Sequence, residues 1–255
     1  MTLERSTASS MPPSGEDARR LLALSRRLRH GLNDDVPAPE AEAALHDYAN
    51  WVIKGRLCVG AFPCAEVFRR EGRGGYQRAL AGLVESGVTT FVCLEDDEDL
   101  VEKQLGMNIP NYILYDMPRG WRGEARVFSA VDGQSFSWSV LVDCLELVGG
   151  ILADPTCGAV YVHCFGGHGR AGIVAACMLG LAYGLSPAEA LARTQRAHDE
   201  RADPAWPLAD KQLSPQTEVQ REQVVQALEA LRTAEADRES AMFVTDSTVT
   251  ALPAS

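Results

Sequence analysis

The 255-residue chain is 46% apolar and 23% charged, enough to bury one good-sized globular core with extensions. Its net charge of −11 argues against nucleic acid or an acidic membrane surface as the main partner, although a local anion site stays possible. Seven cysteines without zinc-type spacing, and no evident signal peptide, point to free thiols in a reducing, cytoplasmic compartment.

Residues 1–41 read as an N-terminal extension. Ser6–Gly15 is polar and Pro-containing, a composition of disordered chain. Glu16–Leu32 reads as a solvated helix with five arginines, a composition that leaves organelle targeting open, although Glu4, Glu16 and Asp17 speak against a transit peptide. Val36-Pro37-Ala38-Pro39 is a linker signal. The main globular domain is expected over 42–231, followed by a polar tail over 232–255.

Within that domain Trp51–Ala61 gives two strand pieces around Lys54-Gly55. Gly75–Ser86 is an amphipathic helix closed by Gly87, and Val88–Leu94 is a β-branched buried strand. Glu95–Asp99 reads as a solvated acidic loop, Tyr112–Tyr115 as a strand and Pro118–Gly133 as a long loop of the kind that serves as a lid. Ser137–Leu152 is a helix capped by Ser137 or Ser139. Ala159–His163 is a strand, Ala171–Leu185 a charge-free helix too short for a membrane span, and Pro187–Arg201 a second helix. Ser214-Pro215 opens a last helix to about Ala230. Strands alternating with helices indicate an α/β domain.

The stretch Val160–Gly172, VYVHCFGGHGRAG, carries the chemistry. A loop opening a helix aims unpaired N–H groups at one spot, and the helix dipole adds positive potential there. Gly166, Gly167 and Gly169 allow the sharp backbone, and Arg170 offers a planar fork for phosphate oxygens. Cys164 enters the same loop, and an environment that holds phosphate also stabilises a thiolate. A nucleophile and an oxyanion binder on one loop suit attack on phosphorus. Three other readings fit less well. Gly167–Gly172 also spells the dinucleotide fingerprint, but a helix follows where a second strand is needed. A Walker loop lacks its Lys-Ser/Thr pair. A structural turn beside an inert Cys leaves Arg170 unexplained.

His163-Cys164-(five residues)-Arg170, between a strand and an apolar helix, resembles the signature of the cysteine-based protein tyrosine phosphatases, in their dual-specificity (atypical) branch. The resemblance implies a central, mostly parallel sheet of four or five strands with helices on both sides. It implies a phosphomonoester hydrolase acting on phosphotyrosine, and on phosphoserine or phosphothreonine, through a cysteinyl-phosphate. No metal or other cofactor is called for. The partners are phosphorylated proteins or peptides, and the oligomeric state stays open. Cys164 would be the nucleophile. Phe165, Gly166, Gly167, His168, Gly169 and Arg170 would bind the phosphoryl group, and His163 would buttress the loop. In this family an acid lies some 30–35 residues before the cysteine. Asp132, 32 residues before Cys164, fits that interval better than Asp116, 48 residues before it. The usual proline four residues beyond the acid is Phe136 here. Relatives acting on phosphoinositides carry lysines in the loop, whereas here His168 is the only ionisable side chain between Cys164 and Arg170. Gln220 is either an orienter of the hydrolytic water or an exposed helix residue. Cys93, near the end of a strand, is a candidate to guard Cys164 by a reversible disulfide. Ala171 replaces the hydroxyl residue that follows the Arg in the family, and this opens the alternative of a weak pseudophosphatase that binds phosphoproteins as a scaffold.

Overall fold

The computed structural model describes residues 11–32, 44–46, 48–63, 65–95, 117–201 and 213–247. Six strands form one sheet: β1 (Ala44–His46), β2 (Ala49–Ile53), β3 (Leu57–Ala61), β4 (Val88–Glu95), β5 (Glu124–Ala130) and β6 (Ala159–Cys164). Their order is β1-β2-β3-β6-β4-β5. The three pairings from β3 to β5 are parallel, and the short β1 and β2 add an antiparallel edge. The expected mostly parallel α/β sheet is therefore present, one short edge strand larger than foreseen.

Parallel strands need both faces covered, so they read as continuous apolar runs. All six residues of β6 are buried, as are seven of the eight in β4. Six helices accompany the sheet among the described residues: α1 (Gly15–Gly31), α2 (Ala65–Glu85), α3 (Trp138–Leu152), α4 (Gly169–Tyr183), α5 (Pro187–Asp199) and α6 (Glu218–Ser247). One face carries the main core, where Val160 and Val162 of β6 meet α3, α4 and α6. The other carries a smaller core around Phe91, Tyr161, Leu80 and Leu83. In α4 every residue from Gly169 to Ala182 is buried, which explains a helix without an exposed polar stripe.

Several expectations are corrected. The helix near the N-terminus is not merely solvated: Leu21, Leu24 and Leu28 lie in the main core, and α1 packs on α3, α4 and α6. Its arginines mask that face in the sequence, some of them flanking it: Arg20 pairs with Asp143 and Glu146 of α3 at 2.6 Å. Helix α2 starts ten residues earlier than expected, at Ala65, running through Gly72, Gly74 and Gly75, which lower helical propensity. The supposed lid over Pro118–Gly133 contains β5, a half-exposed edge strand with a weak apolar signal. The last helix starts at Glu218, not at Ser214, and runs to Ser247. The expected strand at 112–115 and the acidic run from 96 to 99 lie outside the described residues.

Candidate active site

Strand β6 lies between β3 and β4, so Cys164 emerges at the carboxyl end of the parallel strands, where open α/β sheets bind ligands. The loop of 165–168 follows, and α4 begins at Gly169 with no side chain capping it. An uncapped N-terminus leaves N–H groups for an anion.

Each loop carbonyl is held by the scaffold. Phe62 N–H donates to the Phe165 carbonyl at 3.0 Å. The Arg201 guanidinium donates to Gly166 O at 3.5 Å and to Gly167 O at 2.9 Å. The Ser214 hydroxyl donates to His168 O at 3.0 Å. Carbonyls fixed from one side turn the intervening N–H groups to the other. Gly167 has φ +71, and a Cβ there would lie 2.1 Å from the Gly60 carbonyl carbon. Both the left-handed backbone and the contact with β3 therefore demand glycine.

Arg170 is almost wholly buried and links three elements. Its guanidinium donates to Leu94 O at 3.2 Å, Ala130 O at 2.8 Å and Glu95 Oε1 at 3.0 Å. Asp132 Oδ1 stands 2.9 Å from the same Nη2, with its side chain 71% exposed. Arg170 Nε, also buried, has no partner among the described residues. Burial works against the Arg170 charge, but the fields of Cys164, Glu95 and Asp132 outweigh it and its pKa is raised. Burial raises the Glu95 carboxyl pKa, the Arg170 guanidinium pulls it back, and Asp132 adds to the rise.

Glu95 is thus no solvated loop residue, as the sequence suggested, but the buried partner of Arg170. Its signal was its place, an acidic residue ending a buried strand on the ligand side of the sheet. Arg201 was also missed as a clamp. Its Nε donates to Asn50 Oδ1 at 2.8 Å, and burial lowers its pKa to about 10.

The histidines are neutral supports. His163 is fully buried between Phe62 and Tyr161, and burial, then Arg170, lowers its pKa to about 3. His168 Nδ1 lies 2.7 Å from His198 Nε2, tying the loop to α5. Burial lowers their pKa values to about 2 and about 4, with Arg201 adding to both shifts. In the unfolded chain these imidazoles take up protons near pH 6.5. The unfolded state then binds more protons, so this stability is full above about pH 6.5 and is lost as pH falls towards the folded values. Each proton costs about 1.4 kcal/mol per pH unit. Chemical denaturation between about pH 7.5 and 5.5 should show this slope, reduced in His198→Asn. A flat profile in wild type would contradict it.

Gln220 is not the exposed helix residue allowed for above. It is fully buried, with Oε1 accepting from Gln216 N at 3.2 Å and Thr217 N at 3.1 Å, and Nε2 donating to Gln134 O at 3.2 Å. Its carbonyl is therefore committed to the backbone. Cys93 is level with His163 in the sheet and packs in the smaller core, while Cys164 belongs to the opposite face. Burial pushes the Cys93 thiol pKa up, and the Cys164 nearby adds to the rise. Asp116 lies outside the described residues. Among the described residues no second strand follows α4 to receive a dinucleotide; α5 comes next.

The family described as "Swiss Army Knife protein, DSP-PTPase phosphatase domain" matches residues 137–240, which include the whole stretch from Cys164 to Arg170. Over the matched residues the chain resembles the dual-specificity branch of the cysteine-based protein tyrosine phosphatases. Protein 067L of Invertebrate iridescent virus 3, whose name makes it a candidate tyrosine phosphatase, is 28% identical over 144 residues. That match spans 53% of this chain and 55% of the viral protein, about half the length of the relative. The fold is shared with Tk-PTP in its active form, at TM-score 0.50 and 20% identity over 71% of this chain and 97% of that one. Kinase associated phosphatase, with its catalytic cysteine replaced by serine, matches at TM-score 0.52 and 20% identity over 69% of this chain and 87% of that one. In this dual-specificity phosphatase fold, no helix among the described residues is long and apolar enough to cross a membrane.

Proposed function

We propose that the chain hydrolyses phosphotyrosine, and phosphoserine or phosphothreonine, in proteins or peptides through a cysteinyl-phosphate at Cys164. The observation that carries this reading is the loop itself. Four successive carbonyls are bound from behind, and Arg170 follows at the start of an uncapped helix. Among the described residues none accepts from the N–H of Gly166, Gly167 or His168.

Cys164 attacks phosphorus in line with the leaving oxygen, forming the S–P bond as the P–O bond breaks. The loop N–H groups and Arg170 hold the equatorial oxygens as charge develops. Asp132, beside Arg170, gives the proton to the departing phenoxide or alkoxide. Water then attacks phosphorus, Asp132 takes its proton, and the thiolate leaves. Among the described residues Cys58, Cys93, Cys144, Cys157, Cys164 and Cys177 are free thiols, which fits a reducing, cytoplasmic setting.

The test pairs turnover with protection. The protein should release p-nitrophenol from p-nitrophenyl phosphate, and iodoacetate should abolish this by alkylating Cys164. Phosphate or vanadate should slow the alkylation. Alkylation of Cys164 that phosphate and vanadate leave untouched would count against the reading.

One observation favours a second reading, a scaffold that binds phosphoproteins and turns over weakly. Ala171 is fully buried where a hydroxyl residue is expected, so no hydroxyl from that position can serve the sulfur.

A further inference from the structure

One segment of the chain bridges the two loops that the proposed chemistry uses. The segment from Ser214 to Gln223 touches both the phosphate loop and the loop bearing Asp132. On the first side the Ser214 hydroxyl holds His168 O, and Gln220 lies against Gly169, where a Cβ would sit 2.7 Å from its Nε2. On the second side Thr217 Oγ1 donates to Gly133 O at 3.0 Å, and Gln220 Nε2 donates to Gln134 O. Gln223 then grips Phe136 at two points, accepting from its N–H at 2.9 Å and donating to its carbonyl at 2.7 Å. Gln223 and Phe136 are both buried.

A two-point amide grip fixes the plane of a backbone segment much as a strand pairing does. The grips fall at 133, 134 and 136, immediately after Asp132. We propose that Thr217, Gln220 and Gln223 are positioning residues that hold the Asp132 loop in fixed register with the phosphate loop. The acid is then docked before substrate arrives, in place of a lid that closes over it. Residue 136, where the family has proline, is held by Gln223 instead of by a ring that restricts its own backbone. Gln220 acts here by spanning the two loops, since its carbonyl already serves two backbone N–H groups. This inference rests on the phosphatase reading above.

The test is Gln223→Met, which keeps the length and removes both hydrogen bonds. Amide exchange over 132–137 should speed up. Turnover of phosphotyrosine should fall about tenfold, while a phosphate ester with a strongly acidic leaving group should be nearly unaffected, because only the poor leaving group needs a well-placed acid. Vanadate affinity, which reports the phosphate loop, should hold. If Gln223→Met fails to fold, Thr217→Val removes one grip and should show the same leaving-group dependence more weakly. Unchanged exchange, or an equal loss on both esters, would overturn the proposal. Failure of the reading itself looks different: wild type would have no turnover that depends on Cys164, and with no acid step to position the proposal would fall with it.

Discussion

Asp132→Ala should lower turnover of phosphotyrosine by about 10²- to 10⁴-fold, the contribution of a positioned general acid. That corresponds to about 2.7–5.5 kcal/mol of transition-state stabilisation. The carboxylate stands 2.9 Å from Arg170, so a phosphoryl group bound by that arginine would bring its bridging oxygen near. Because the Asp132 side chain is 71% exposed, its removal should leave the fold intact, and lost turnover then reports chemistry. The loss should shrink for substrates whose leaving group needs no proton, and the acid-assisted limb of the pH–rate profile should change. Asp116 supplies the control. If Asp116→Ala shows the leaving-group dependence and Asp132→Ala does not, the proton comes from Asp116.

The sheet and the strand–loop–helix around Cys164 were legible because their signals are local. A β-branched run at Val88–Leu94, a His-Cys step and three glycines before Arg170 each impose one backbone solution. The supports were not legible because they are long-range and polar. Glu95 lies 75 residues from Arg170, and Arg201 lies 34 from Gly167, yet these contacts fix the loop. Neither has a periodicity to detect, and Glu95 opens a run of acidic residues that looks solvated. The leucines of α1 failed for another reason. Their apolar stripe is diluted by the arginines between them, and only the packing against α3, α4 and α6 decides that the helix is core. Strand β5 is half-exposed, so its alternation reads as loop until β4 is beside it.

Replacing Ala171 should have the second large effect. Expelling Cys164 from its phosphoryl intermediate leaves a thiolate, which a neighbouring hydroxyl would stabilise. The nearby hydroxyls are already committed, Ser214 to His168 O and Thr217 to Gly133 O. A hydrogen bond to a charged group contributes about 1.5–3 kcal/mol, which is about ten- to a hundred-fold in rate. Wild type should therefore release a burst of p-nitrophenol close to the enzyme concentration and then turn over slowly. Ala171→Ser should speed the slow phase by about ten- to a hundred-fold and leave the burst rate nearly unchanged. No burst in wild type, with no gain in Ala171→Ser, would show that the hydroxyl is not limiting. The same reaction holds the most direct test of the cysteinyl-phosphate. Quenched in acid during the slow phase and mapped by peptide mass, wild type should carry phosphate on Cys164 in most molecules, and Cys164→Ser should release no p-nitrophenol. Turnover that continues in Cys164→Ser at the wild-type rate, with phosphate never found on Cys164, would contradict the account.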